Sequence, residues 1–406
     1  MAKPLAPSPN VSRLFHSLNR DQRLIFLSSF LWGFGLFLFN YIQPLYISSL
    51  GATPEQIGLT LSLSGVVVTL AYIPIGLWAD RRGRKPVILA GWGMGALATL
   101  LMALAPDWRW LIPGLALYLF SNFAVPAMNG YITAADAGGN PARMFAILSS
   151  GSAVGSIIAP AVGGWIGEHL GLRAVYFCAA LIFGLSTLAL VGLTDRPAPS
   201  PAQRGDPRQV LRHRPFLWQI LFIFLIFFAL ELGQVLAPKY LEDVRGLTVG
   251  QIGRLGTVAA LGITLSTLTY GRSASSRALA LSQLAALAAM LMLVSSPLLL
   301  FITLAYFIHG SNRAVRPILL GRLARTLDSN TLSFGFGFQQ TAMQLGLTLA
   351  PYFAGQLYNR APAWPLYAGS LALCVTILLT FILPVRQKAT DLSLTPDPSP
   401  GGRGPG

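Results

Sequence analysis

Twelve apolar stretches, each about as long as a membrane-crossing helix, account for most of this chain of 406 residues. Within a few residues at each end they fall at 24–48, 56–78, 86–105, 109–132, 144–167, 173–194, 216–240, 249–271, 278–296, 298–320, 332–357 and 363–384. A hydrocarbon layer offers no water to an unpaired backbone amide, so such runs read as helices whose hydrogen bonds close within the segment. A soluble fold is excluded: 11% of the residues are charged and 53% are hydrophobic, whereas about 25% are charged in an ordinary soluble domain. The expected fold class is an all-α polytopic membrane protein. The first run is too long, and too far from the N-terminus, to be a cleaved signal peptide. Cys178 and Cys374 both lie inside apolar runs, which leaves no disulfide framework and no cysteine-based zinc site. No metal and no cofactor are expected.

Charge placement orients the spans. The N-terminal tail, the loops after even-numbered spans and the C-terminal tail hold 21 of the 29 Lys and Arg residues. The loops after odd-numbered spans hold six: Arg109, Arg173, Lys239, Arg245, Arg254 and Arg360. Positive residues gather on the cytoplasmic side, so both termini are predicted to be cytoplasmic, in a plasma (inner) membrane. The net charge of +15 is then a topology signal and an attraction to anionic headgroups. The expected partners are the bilayer and a small-molecule substrate, not nucleic acid. The stretch 195–215 divides the spans six and six, giving bundles at 24–194 and 216–386 behind an N-terminal tail at 1–23. The segments 1–12 and 387–406, rich in Pro, Ser and Gly, are expected to be disordered.

The halves repeat one another. Pro44-Leu-Tyr46, Thr53 and Gln56-Ile57-Gly58 return as Pro238-Lys-Tyr240, Thr248 and Gln251-Ile252-Gly253. Ser121-Asn122 returns as Ser311-Asn312. The run Gly155…Ala159-Pro160…Gly163-Gly164 returns as Gly346…Ala350-Pro351…Ala354-Gly355. Two parallel copies of a six-helix unit imply a pseudo-two-fold axis along the membrane normal, which suits rocking of one half against the other around a central site.

The loop after span 2 reads Gly76-Leu-Trp-Ala-Asp80-Arg81-Arg82-Gly83-Arg84-Lys85. It matches every fixed position of the G-x-x-x-D-R-x-G-R-K signature, and with the span count and the repeat the chain resembles the major facilitator superfamily over its whole length. After span 8 the motif is degenerate: Gly271 remains, but Ser275 and Ser276 stand where Asp and Arg would be. Gly76 and Gly83 permit close helix approach and a tight turn. Asp80 favours a helix N-terminus, and the resemblance points to the start of span 11 as its partner. With Arg81, Arg84, Asp136 and Arg143 it forms an expected latch that closes the cytoplasmic side. The Gly155–Gly164 run resembles the antiporter signature of drug exporters, with Ala159 in place of a glycine. Its second copy around Pro351 also favours plain helix packing, with Gly155, Pro160, Gly163 and Gly164 letting backbones touch.

The resemblance further implies that spans 1, 4, 7 and 10 line a cavity, and intramembrane polar residues gather there. They are Asn40 and Gln43, Asn122 and Asn129, Glu231 and Gln234, then His309, Asn312, Arg313 and Arg316, with Gln339 and Gln340 added from span 11. Spacings of three, four and seven place them on one face of each helix. Glu231 is the one acid deep in a span, where a charge needs a cavity or a partner. Three roles compete for it: a proton-coupling carboxylate, a substrate ligand, or a static bridge to Arg313. Arg313 and Arg316 suit an anionic substrate as well.

The leading expectation is a monomeric secondary active transporter exporting a small drug-like or hydrophobic molecule by alternating access, with the proton gradient as energy source. Trp32, Phe34, Phe37 and Phe228 supply the apolar wall. Uptake of a sugar, organic anion or other metabolite is the alternative. A polytopic enzyme would need a catalytic constellation, and none is visible; a receptor would need a sensor domain.

Overall fold

The structure, a computed structural model, describes residues 18–79, 84–135, 141–195, 214–269, 275–324 and 329–382. Among these, every regular element is a helix. The first half comprises α1 (Arg20–Phe39), α2 (Gln43–Ser49), α3 (Pro54–Ala79), α4 (Arg84–Leu104), α5 (Leu111–Phe120), α6 (Val125–Ala135), α7 (Pro141–Leu170) and α8 (Leu172–Val191). The second comprises α9 (Arg214–Gln234), α10 (Ala237–Asp243), α11 (Val249–Thr269), α12 (Ser276–Ser295), α13 (Leu299–His309), α14 (Val315–Ala324), α15 (Ser329–Arg360) and α16 (Trp364–Ile382). Short 3-10 turns, Ser121–Ala124 and Gly310–Ala314, join α5 to α6 and α13 to α14.

Spans 1, 4, 7 and 10 therefore depart from the unbroken helices expected of them. Each contains a proline four residues after a polar residue: Pro44 after Asn40, Pro126 after Asn122, Pro238 after Gln234 and Pro317 after Arg313. Proline has no N–H to return to that carbonyl, so the helical ladder loses a rung there. In spans 1 and 7 the chain stops and restarts one turn later, with Pro44 and Pro238 in the first turn of the new helix. In spans 4 and 10 it tightens into the 3-10 turn instead. The first helix also begins at Arg20 rather than at residue 24. Asn19 and Gln22 form a reciprocal capping box, both bonds 2.9 Å, which starts a helix in polar sequence before the apolar run.

The two-fold likeness of the halves is visible in their packing. α1 packs on α7 and α8 as α9 packs on α15 and α16. Across the middle, α3 packs on α15 and α11 packs on α7, which is one contact generated twice by the same rotation. Local detail repeats too. Thr53 and Gln56 cap α3 with bonds of 2.9 and 3.3 Å, and Thr248 and Gln251 cap α11 with bonds of 2.9 and 3.2 Å.

Eight helical stretches among the described residues are long and apolar enough to cross a membrane. Leu181, Leu188, Leu300, Leu371 and Leu378 are exposed on outward faces, as a lipid-facing surface requires. The face where α1, α4, α9 and α12 begin carries Arg20, Arg23, Arg84, Lys85, Arg214 and Arg277 and is termed the basic face. At the opposite, far face Trp110, Trp165, Trp364 and Tyr367 are exposed at helix ends, where amphipathic rings favour the boundary between hydrocarbon and water.

Candidate functional site

The halves are locked together at the far face by two seams. In one, Gly58 of α3 lies so close to the carbonyl of Pro351 in α15 that no side chain fits between them, and Gly355 is the next neighbour. In the other, a methyl group on Gly253 of α11 would lie 2.5 Å from the Pro160 carbonyl oxygen and 2.6 Å from Gly164 Cα in α7. Each seam has a matching hydrogen bond after its proline: Tyr352 N donates to Ser62 Oγ at 2.9 Å, and Ala161 N donates to Thr257 Oγ1 at 3.2 Å. Glu55 closes the rim of the first seam by accepting from the side-chain amides of Gln356 and Asn359. The repeated glycine–proline segments are thus seam surfaces. Within each half they also seat the cavity helices: a methyl on Gly155 would lie 2.7 Å from Phe34 N, and one on Gly346 would lie 2.8 Å from Phe228 N. Gly163 abuts the Leu38 carbonyl more closely still.

Below the seams, towards the basic face, the broken spans bring polar groups together between the halves. Arg313, on the 3-10 turn of span 10, is their centre. It interacts electrostatically with Glu231 of α9, with His309 one turn earlier, with Arg316 and with Tyr41. Arg316 Nη2 donates to Gln340 Oε1 at 3.1 Å, and His309 and Asn312 contact one another at 3.1 Å. The half-buried Glu231 carboxylate has no hydrogen bond and no ion pair among the described residues. A static Glu231–Arg313 bridge, one of its three expected roles, is not formed in this conformation. Arg313, Arg316, Gln340 and Asn129 are exposed, so the space between the halves opens towards the basic face while the far face is shut.

Other expected residues are placed differently. Asn122 turns its amide onto the Leu119 carbonyl of its own helix at 2.8 Å. Among the described residues, Gln339, 3% exposed, is buried with its Oε1 unpaired, and Gln234 Nε2 is likewise buried without a partner. Asn40 and Gln43 flank the break in span 1 rather than sharing one helical face. Trp32 is not part of the apolar wall. It packs inside the first half against Trp92, Phe183 and Tyr118, with ring centroids 5.0, 4.5 and 6.2 Å away.

The main residue that sequence reasoning missed is Tyr41. Its ring lies over Gly256 of α11, where a methyl would come within 2.6 Å, so it crosses from the first half to the second. It also interacts with Tyr306 of α13 and stands beside Phe37, centroids 6.2 Å apart. Pro44, three residues on, was the available signal: it predicts a break that turns Tyr41 out of the helical register.

This geometry can be set beside known proteins. The family model of the Major Facilitator Superfamily matches residues 25–312, well over half of the chain. The chain belongs to the Major Facilitator Superfamily. Within it, the multidrug resistance protein MdtG of Serratia proteamaculans is 30% identical over 269 residues, 63% of each chain. A Deinococcus radiodurans protein named for sugar efflux is 28% identical over 229 residues, 53% of this chain and 58% of its own. The chain thus spans about three fifths of the length of these relatives. The multi-drug resistance efflux pump PmrA of Streptococcus pneumoniae is 25% identical over 397 residues, 89% of this chain and 95% of its own. Among solved structures, a mutant of the nucleoside transporter NupG superposes with a TM-score of 0.77 at 14% identity, covering 89% and 98% of the two chains. An inward-facing, unoccupied bacterial homolog of the human lysosomal transporter Spinster gives 0.67 at 17%, covering 89% and 94%. These two likenesses show a shared fold of helices in two halves.

Much of the expected latch lies outside the described residues: Asp80, Arg81 and Gly83 of the signature loop, and Asp136 after span 4. Gly76 lies in α3 and Arg143 in α7. Arg84 opens α4 and faces Gly130 of α6, where a methyl would lie 3.3 Å from its Nε. Lys85 donates to the Leu193 carbonyl at 2.7 Å, tying the start of α4 to the end of α8.

Proposed function

We propose that this chain is a monomeric secondary active transporter that exports a small, drug-like molecule in exchange for protons, by alternating access. The reading rests on one observation above all: an acid inside the membrane, Glu231, left without a hydrogen bond or ion pair among the described residues, between two pseudo-symmetric halves. A charge at that depth costs at least a few kcal/mol, and its position beside Arg313 suits a carboxyl that is alternately protonated and occupied. The relatives named for multidrug resistance and efflux support export over uptake. The proposed setting is the inner membrane with the basic face and both termini in the cytoplasm, by the positive-inside bias. In that orientation the closed seams make this an inward-facing state, ready to receive substrate from the cytosol.

The proton gradient is the proposed energy source, and the proposed latch at Asp80, Arg84 and Asp136 closes the cytoplasmic side when the seams open. Asn129, Gln340 and Arg316 then stand along the entry path, with Glu231, Arg313, Tyr41 and His309 at its end. The deciding experiment is flux in proteoliposomes. Proteoliposomes of the purified protein, preloaded with a labelled lipophilic dye, should release it several-fold faster under an imposed pH gradient than without one. Equal rates with and without the gradient would remove proton coupling.

A further inference from the structure

The chamber holds charges of both signs that do not satisfy one another. Glu231 offers a carboxylate with no hydrogen bond or ion pair, and Arg313 offers a guanidinium with none, among the described residues. The two are near enough to interact electrostatically yet stay apart as an ion pair. Among the described residues Arg316, one turn on, is matched only by the neutral Gln340 amide oxygen, so this group holds two cations and one acid. Opposite charges in a poorly polarisable interior normally close onto one another, because separation costs desolvation without Coulombic return. Here they stay apart, with Arg313 exposed and Glu231 half-buried. Arg313 sits on the 3-10 turn, and Glu231 lies one turn before the Val235–Leu236 break. Flat phenolic and apolar surfaces belong to the same group: Tyr41 interacts with Arg313 and with Tyr306 and stands beside Phe37.

Resting on the export reading above, we infer that the chamber is shaped for an amphoteric molecule: an anionic group taken by Arg313 and Arg316, an ammonium taken by Glu231, and an aromatic frame lying on Tyr41. The guanidinium fork suits a carboxylate, sulfonate or phosphonate held by two parallel N–H···O bonds. A ligand ammonium and a proton compete for the same Glu231 carboxylate, which is the exclusivity that exchange transport requires. A purely anionic ligand would bind better with Glu231 protonated, and so would travel with the proton rather than against it. The ammonium end is therefore what makes the site an exchanger.

The test is a charge series on one frame. Aminomethyl-benzoate and aminomethyl-biphenyl carboxylate carry both charges; their methyl esters are cations, their N-acetyl derivatives are anions, and blocking both ends leaves neutral molecules. Binding to the purified protein is read by thermal shift and calorimetry. On at least one frame the doubly charged member should bind most tightly. Arg313→Gln with Arg316→Gln should weaken it at least about tenfold, to the level of the ester, and Glu231→Gln should weaken it to the level of the N-acetyl derivative. Arg316→Lys, which keeps charge but not the fork, should fall between. None of these side chains has a charged partner to lose among the described residues, so the unliganded melting temperature should not fall, and it serves as the folding control. Equal or tighter binding of a neutral or singly charged member, no binding on either frame, or affinity unchanged in the variants would overturn the inference. Flux separates it from the transport reading. If the binding order holds but a pH gradient drives no release, the amphoteric site stands and exchange falls; if only neutral lipophiles are exported, exchange stands and the amphoteric site falls.

Discussion

At the scale of single residues the interior of this protein holds two kinds of acid. Asp21 is buried and fully engaged: it accepts from Tyr131 Oη at 2.8 Å and from the Thr194 hydroxyl and amide, pinning α1 to α6 and the end of α8. Among the described residues, Glu231 is engaged by nothing except the field of Arg313. Opposite consequences follow on mutation. Tyr131→Phe removes a donor from a buried carboxylate and should cost about 1–3 kcal/mol, seen as a lower melting temperature in detergent. Glu231→Gln removes an uncompensated charge, so the melting temperature should stay level or rise, while gradient-driven release falls to the leak rate and substrate exchange without a gradient continues. A Glu231→Gln protein that still responds fully to the gradient would end the proton-coupling role. Glu231 was legible in the sequence because an acid in an apolar run stands out at once. Tyr41 and Asp21 were not. Tyr41 looks like one more aromatic in an aromatic run, and Asp21 lies in polar sequence where nothing signals that three helices converge on it.

At the scale of elements, periodicity located all the helical rods but not their interruptions. Hydropathy averages over a window and so passes over a lost hydrogen bond; Pro44, Pro126, Pro238 and Pro317 carried that information and are buried in the apolar counts. The breaks matter, because they turn Asn40, Tyr41, Asn312 and Arg313 off the faces that a regular helix would give them. The glycine–proline segments were legible as tight packing surfaces, yet their partners were not. No local rule says that α7 should meet α11 and α15 should meet α3; that follows from the rotation relating the halves. The seams give a sharp test. A single methyl at Gly58 or Gly253 meets backbone atoms across the interface, which cannot swing aside as a side chain can. Gly58→Ala and Gly253→Ala should therefore hinder far-side closure and slow transport at least about tenfold, at little cost to folding, whereas Gly184→Ala, with open space around it, should match the wild type. Wild-type flux in both seam variants would show that the seams need not close tightly.

At the scale of the whole molecule, each half contributes one glycine helix and one glycine–proline helix to the far side, and each seam joins a glycine helix of one half to the glycine–proline helix of the other. A rigid rotation of one half about the pseudo-two-fold region must therefore open both seams together; neither can part while the other stays zipped, unless a helix bends within its own half. The tight seating of α7 on α1 at Gly155 and Gly163, and of α15 on α9 at Gly346, argues against such bending. Ser62 and Tyr352 meet across the first seam, and Thr257 lies at the matching place in the second. With Cys178 and Cys374 replaced by serine, a Ser62→Cys, Tyr352→Cys pair oxidised to a disulfide should stop transport entirely and reversibly. A third cysteine at Thr257 should become unreactive towards an impermeant maleimide from the far side in the oxidised protein, and reactive during turnover once the disulfide is reduced. Cysteines at Arg277 and Arg360, exposed on the basic and far faces respectively, report the sidedness of the same preparation. If Thr257→Cys stays reactive with the first seam locked, the halves are not rigid bodies, and the two copies of the repeat open one at a time.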